Sequence, residues 1–315
     1  NEKDEFGVFE IGMDKKGEID SLSKIVKPDV GVITNISYAH AKNFKNIKQI
    51  ALAKAEIIYN IKNHGAIVLN ADDQFYNFHK KIAQKRNLKI YSFSMRKKGF
   101  DINLSSIKKE GNKYKILINF GNQNVYFYIS SNFENDIKNL LAALTVIQIY
   151  KNIKKLDKNI FYDHQTPKGR GDISKIKIDK KNIYLIDESY NSNPLSLKSA
   201  IKNFDMIKVK NSKKHLILGD MLELGSHSKR LHSGISDTIN RSSINYVNVI
   251  GRHITETYKN INKNKKGIIL KNNSQIIDLI KNNIDNNDYL MIKGSNSTGL
   301  NKLTNTIKTG KINAL

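Results

Sequence analysis

The 315-residue chain contains no cysteine, which excludes disulfides, thiol nucleophiles and cysteine-based metal sites. Tryptophan is also absent, and there are only 3 prolines. No run approaches the roughly 18 consecutive apolar residues of a membrane-spanning helix. The opening residues NEKDEF lack the basic-then-apolar pattern of a secretory signal. With nothing directing export, the cytoplasm is the expected compartment. Acidic residues are scarce: 29 Asp and Glu stand against 53 Lys and Arg, a formal net charge of +24. Such an excess raises nucleic acid as a partner. Here, however, it is almost all lysine, spread along the whole chain, and accompanied by abundant Asn and Ile, the joint signature of AT-rich codons. The reading is therefore no nucleic-acid partner, with a basic nucleic-acid-binding protein kept as the alternative from another class. Hydrophobic residues make up 39% and charged residues 26%, enough apolar material for packed cores.

The length suggests about two domains. Short apolar runs at 6–11 (FGVFEI), 30–36, 65–70 and 88–94 read as strands, and 17–26, 46–61 and 73–86 between them as helices. Strands alternating with helices point to a mostly parallel, doubly wound α/β sheet. Three strand-like runs at 100–107, 113–120 and 124–130, parted by turn signals, add a small antiparallel segment, and 135–150 resumes as a helix. The stretch HQTPKGRGD at 164–172 is the best linker. A second alternating series follows, with strands at 183–186, 215–218, 246–250, 267–270 and 289–292 and helices at 194–207, 228–240, 274–284 and 298–308. The expectation is two α/β domains, 1–168 and 169–315, the second Rossmann-like.

Ligands of open α/β sheets bind beyond the carboxyl ends of the parallel strands. The polar residues there are Glu10, Thr34 and Asn35 with His40 nearby, and 70–73 in the first domain. In the second they are 187–191, Gly219 with Asp220, and 293–295. Asp73 and Ser274 read as helix caps. Glu10 continues the Phe6 and Val8 side of its strand, so its carboxylate is either ion-paired or a metal ligand. Lys54 stands out. On a helical wheel Ile47, Ala51, Ile58 and Ile61 form one stripe, and Lys54 falls in its middle. Lysine is seldom buried, so this one either snorkels at the helix edge or directs its amine into a site. A buried amine has a lowered pKa and is nucleophilic; reaction with carbon dioxide would make it a carbamate, an oxygen ligand suited to Mg²⁺. No G-x-x-x-x-G-K-[ST] phosphate loop occurs in the 315 residues.

Eight strings stand in order along the chain: FEIGMDKKGEI, PDVGVITNISYAH, ALAKAEI, VLNADD, PKGRGD, IDESYNSNP, LGDMLELG and MIKGSNS. On these, over about residues 6 to 308, the chain resembles the Mur ligase family. The DESYNSNP and GDMLELG segments resemble the members that join D-alanyl-D-alanine to UDP-N-acetylmuramoyl-tripeptide (UDP-MurNAc-tripeptide). Other Mur-type ligases, adding the third residue or extending folylpolyglutamate, are the alternative. The resemblance implies an ATP- and Mg²⁺-dependent amide ligase of peptidoglycan synthesis, working as a monomer through an acyl phosphate. It assigns metal and catalytic roles to Glu10, His40 and a carbamylated Lys54. Asn35 lines the same pocket. Asn139, Arg170, Asp187, Glu188, Tyr190, Asn191 and Asn193 are assigned to ATP, held between the domains. Asp220, Lys293 and Ser295 are assigned to the dipeptide, and Glu223 and His232 lie close by in sequence with structural roles at least as well suited to them. Three departures accompany the match. The family's phosphate loop and UDP-binding domain would precede Asn1. Glu134-Asn135-Asp136 replaces the usual His-Asn opening of the helix motif, and Asn296-Ser297 stands where many relatives carry arginine. The expectation is a chain that begins inside a domain and is catalytically dead or nearly so by itself, belonging to an active longer protein.

Overall fold

A computed structural model describes residues 4–163 and 167–310. The chain divides into two compact units, Asn1–His164 and Gln165–Leu315.

The first unit opens with α1 (Glu18–Val26), β1 (Val30–Ile33), α2 (Ile47–Lys54), α3 (Glu56–Asn60), β2 (Ala66–Asn70), α4 (Tyr76–Lys85) and β3 (Lys89–Ser94). It closes with β4 (Ile102–Glu110), β5 (Lys113–Phe120), β6 (Gln123–Ile129) and α5 (Glu134–Tyr150). Its six strands lie in chain order; β1 to β4 pair in parallel, and β4, β5 and β6 form an antiparallel end. Among the described residues this sheet shows no reversal of winding. All five residues of β2 are buried, as expected for a parallel strand covered on both faces. In β6 the alternation is strict: Val125, Phe127 and Ile129 turn inward while Asn124, Tyr126 and Tyr128 face out. The inward set joins Ile116, Ile118, Leu141 and Leu144 in one core.

Two expectations change here. Residues 6–11 form no strand. Phe6, Val8 and Phe9 are exposed, Val8 by 98%, and Phe6 only meets Tyr150 edge-on at 5.1 Å. An apolar run becomes a parallel strand only when neighbouring strands and covering helices take up its backbone and side chains, and among the described residues this run has neither. The helix expected over 46–61 is broken at Ala55 into α2 and α3. Glu56, the first residue of α3, reaches the start of α1, where its carboxylate accepts from the Gly17 and Asp20 amides at 3.0 and 3.1 Å. An anion is favoured at a helix N-terminus.

The second unit contains β7 (Asp172–Ile178), β8 (Lys181–Glu188), α6 (Pro194–Met206), β9 (Lys214–Gly219), α7 (Ser228–Ser233) and α8 (Ser236–Asn240). Then follow β10 (Tyr246–Ile250), α9 (Thr255–Lys259), β11 (Lys266–Leu270), α10 (Asn273–Asn283), β12 (Tyr289–Lys293) and α11 (Leu300–Lys308). The strand order is β11-β10-β9-β12-β8-β7, parallel except for the β7–β8 hairpin. After β8 the chain passes to β9, β10 and β11 and then returns to insert β12 between β8 and β9. The sheet thus reverses its winding at β9 and β12, where Rossmann-type sheets bind ligands. β7 falls on a stretch read from sequence as linker and loop, and α9 was likewise not foreseen. Leu185, Ile217, Leu290 and Ile292 are fully buried with Ile276, Leu300 and Leu303 from the covering helices. At about 1.5–3 kcal/mol for each buried large side chain, such contacts hold the strand ends in place.

Candidate active site

In the first unit the polar groups gather beyond β1 and β2. Lys54, at the end of α2, turns its amine inward to donate to the Asn35 carbonyl at 3.2 Å. Burial depresses its pKa below the usual lysine value, and the charge of Asp73 opposes that shift. The Asn35 loop is fixed from two further sides. Asp73 accepts from the Ile36 amide at 2.8 Å, and Asn70 donates to the Thr34 carbonyl at 2.9 Å. Asp73 also accepts from the Phe75 amide at 2.8 Å, so one carboxylate caps a turn and positions the loop facing Lys54. Behind α2, His79 is buried with Nε2 3.0 Å from the Ala51 carbonyl oxygen, and burial lowers its pKa.

His40 adopts a left-handed backbone, φ 53°, and its Nδ1 lies 3.0 Å from an Asp14 carboxylate oxygen. Lys42 reaches the same carboxylate at 3.4 Å, and Asn43 donates to the Asp14 carbonyl at 2.8 Å. Asp14 was not foreseen as His40's partner. Its position two residues after Gly12 in the string containing Glu10 was the available signal. Glu10 is exposed and forms no hydrogen bond or ion pair with His40 or Lys54 among the described residues. Asn139 lies on the exposed face of α5, next to buried Leu140.

In the second unit, Arg170 is exposed and its guanidinium lies over the Tyr190 ring, 4.5 Å from the centroid. Tyr190 is itself 48% exposed. The pair depends on Gly169, whose φ of +77° favours glycine and whose added Cβ would come within 3.1 Å of Tyr190. The neighbouring acid, Asp187, is 2% exposed and fully engaged. One oxygen accepts from the Ser189 amide and hydroxyl at 3.0 and 2.5 Å, and the other from Lys308 at 2.6 Å. Lys308 also pairs with Asp172. Asn193 caps α6, accepting from the Ser196 amide at 2.9 Å in a capping box that Pro194 follows. Asn191 uses its side chain on the Ser192 amide at 2.7 Å.

Asp220 accepts from the Ile254 and Arg252 amides at 2.7 and 3.2 Å. This fixes the turn after β10, where Gly251 has φ +126° and a Cβ would meet the Asp220 carboxylate at 2.6 Å. His232 is fully buried. Its Nε2 accepts from the Met221 amide at 3.0 Å while Nδ1 donates to the Ser228 carbonyl at 2.8 Å. Lys293 is 2% exposed and donates to Glu188 and to the Asn191 carbonyl. Burial lowers its pKa, and Glu188 opposes the shift. Ser295 accepts from the Leu222 amide at 2.8 Å and donates to the Ser192 carbonyl at 3.2 Å. Arg170, Tyr190 and Asn191 are exposed in this cluster, whereas Asp187, Lys293 and Ser295 are buried and bonded to neighbouring backbone and side chains.

A parallel α/β unit with an antiparallel end, followed by a Rossmann-like unit with polar loops at its switch point, defines a two-unit, mostly parallel α/β protein. The Mur ligase middle domain matches residues 1–147, and the Mur ligase glutamate ligase domain matches 174–296. The chain belongs to the Mur ligase family. Similar curated relatives include the UDP-N-acetylmuramoyl-tripeptide--D-alanyl-D-alanine ligase of Rickettsia prowazekii, 30% identical over 95% of this chain and 65% of the relative. The ligase of that name from Buchnera aphidicola subsp. Acyrthosiphon pisum is 32% identical over 95% of this chain and 64% of the relative. The chain thus spans just under two thirds of the length of these relatives. The crystal structure of MurF from Acinetobacter baumannii shares the fold, with TM-score 0.80 and 23% identity over 95% of this chain and 63% of that one. So does MurF ligase from Thermotoga maritima in complex with ADP, with TM-score 0.79 and 20% identity over 96% and 67%.

Proposed function

We propose that the chain is the middle and C-terminal part of an ATP-dependent amide ligase of peptidoglycan precursor synthesis, joining D-alanyl-D-alanine to UDP-MurNAc-tripeptide. The observation that carries this reading is the likeness over 95% of the chain to relatives bearing that name. In the reaction the tripeptide's terminal carboxylate attacks the γ-phosphorus of ATP, giving an acyl phosphate and ADP. The dipeptide's amine then attacks the acyl carbon, the C–O bond to phosphate breaks, and an amide, inorganic phosphate and a proton result. The protein acts as a monomer in the cytoplasm.

The first unit serves the phosphoryl step. Glu10 and His40, with Asp14 beside His40, offer carboxylate oxygens and an imidazole. Lys54, depressed in pKa by burial, adds as free amine to carbon dioxide, forming an N–C bond and releasing a proton to solvent, to give a carbamate oxygen. This largely oxygen donor set suits Mg²⁺, which when bound neutralises charge on the transferring phosphoryl group. Asn35, fixed by Asp73 and Asn70, presents the loop that holds Lys54 in place. In the second unit the Arg170–Tyr190 pair with Asn191 meets the nucleoside, Arg170 and Tyr190 offering flat faces for a base. Asp187, Glu188 and Asn193 act on the nucleotide by shaping that loop. Asp220 and Ser295, holding the turns beyond β9, β10 and β12, shape the receptor for the dipeptide.

Calorimetric titration of the chain with ADP and Mg²⁺, then with D-alanyl-D-alanine, L-glutamate and diaminopimelate, tests the reading. Binding of ADP with preference for D-alanyl-D-alanine is expected. Preference for glutamate or diaminopimelate would transfer the chain to a sibling ligase, and failure to bind any nucleotide would overturn the ATP reading.

A further inference from the structure

β12 ends beside β8, with Lys293 in register with Glu188, and the chain after β12 runs past the loop that follows β8. Three side chains of residues 293–296 take three consecutive backbone carbonyls of that loop. Asn296 Nδ2 donates to the Tyr190 carbonyl at 3.3 Å, Lys293 Nζ to the Asn191 carbonyl at 2.9 Å, and Ser295 Oγ to the Ser192 carbonyl at 3.2 Å. Lys293 also meets the Glu188 carbonyl at 3.3 Å and its carboxylate at 3.2 Å. An ammonium has three donors and no acceptor. With three acceptors around it, Nζ has none left for an outside carboxylate. Gly294 between the rungs is closely packed: a Cβ there would lie 2.8 Å from Leu300 and 3.2 Å from the Gly219 Cα. The clasp is anchored on its far side as well, because the Ser295 amide donates to the Asp220 carbonyl at 3.0 Å and its hydroxyl accepts from Leu222.

We propose that Lys293, Ser295 and Asn296 form a clasp on the backbone of Tyr190–Ser192, in which Lys293 is a positioning residue for the nucleotide-facing loop and not a ligand of the dipeptide carboxylate. The clasp sets where the half-exposed Tyr190 ring stands beneath Arg170. Lys293 is its charged rung, because a buried carbonyl bonded to an ammonium is held more firmly than one bonded to a neutral donor. The nucleotide part of this assignment rests on the ATP-binding reading above; the clasp itself does not.

The test uses the 315-residue chain and its Lys293→Met, Lys293→Arg and Ser295→Ala variants. Three quantities are read: amide hydrogen exchange at residues 189–193, and the affinities for ADP and for D-alanyl-D-alanine by calorimetry. In Lys293→Met the loop amides are expected to exchange at least about tenfold faster, and ADP to bind about tenfold more weakly. Lys293→Arg, which keeps charge and donors, recovers part of both. Ser295→Ala removes one rung, shows the same change to a smaller degree, and keeps the test decisive if Lys293→Met does not fold. Unchanged loop exchange in the folded variants overturns the clasp. Weakened dipeptide binding with unchanged ADP affinity would make Lys293 a substrate ligand and overturn the assignment. If the unaltered chain binds no ADP, the nucleotide reading fails, and the loop exchange still decides the clasp.

Discussion

His232 has both ring nitrogens engaged by backbone, one as acceptor from Met221 and one as donor to Ser228, so protonation would cost the Met221 bond. Burial lowers its pKa, as it does for His215 and His79. A histidine whose folded pKa lies below its unfolded value of about 6.5 contributes stability that is full above that pH and declines as pH falls toward the folded pKa. The melting temperature is therefore expected to hold from pH 8 to about 6.5 and to fall below it. His232→Gln, which keeps an acceptor for Met221 without a titrating ring, should flatten part of that slope. An unaltered slope in the variant would contradict the assignment. Gly169→Ala is expected to destabilise by about 1–2 kcal/mol in urea titration, because an L residue is forced into the left-handed region against Tyr190. With ¹³C-bicarbonate, the chain should show a carbamate carbon signal by NMR that Lys54→Arg abolishes; a signal surviving that substitution would move the carbamate elsewhere. Lys54 could be singled out from sequence because a cation within an apolar helical stripe is a visible conflict. Asp73, read as a helix cap, instead holds the Phe75 amide in the turn before α4, whose cap position is Phe75; its second bond, to Ile36, was not readable, since that partner lies 37 positions away. Lys293 and Ser295 were assigned to the substrate through the resemblance of the MIKGSNS string. Their bonds to the Asn191 and Ser192 carbonyls, 102 and 103 positions away in sequence, were not readable there, because polar residues at strand ends look alike whether they face a ligand or a neighbouring loop.

At the scale of elements, α6 depends on its cap. Asn193→Ala removes a side-chain acceptor from the Ser196 amide and is expected to cost about 1 kcal/mol, read as a shift of the urea midpoint with unchanged slope. The strands of the second sheet were mostly legible, because a continuous apolar run bounded by polar turns is what a parallel strand requires. β7 was missed although Ile176 and Ile178 turn inward beside outward Lys175 and Lys177. Period-two alternation in DISKIKI was overshadowed by the glycines just before it. The reverse error was made at 6–11. Alternation of apolar residues marks a segment able to pair, but pairing needs a partner edge, and that lies outside the segment's own sequence. The division of 46–61 was equally hidden, since Ala55 is a good helix former and keeps a right-handed backbone with its amide on the Ala51 carbonyl.

Across the whole molecule the charge of +24 is carried largely on surfaces, and the two apolar clusters form separate cores. Phe127 is fully buried in the first, and Phe127→Ala is expected to cost about 3–5 kcal/mol by chemical denaturation. The family could be read in the sequence because eight strings keep their order from one unit into the next. Composition alone would have stopped at a basic α/β protein. The most direct test of the ligase reading is turnover. The chain is joined to the part of the Rickettsia prowazekii relative that it does not match and assayed with ATP, UDP-MurNAc-tripeptide and D-alanyl-D-alanine. The account predicts ADP and a pentapeptide product that require both substrates and are lost in Lys54→Ala, with no measurable turnover from the 315-residue chain alone. A folded chimaera that makes no product while the intact relative does, or turnover by the 315 residues unaided, would contradict it.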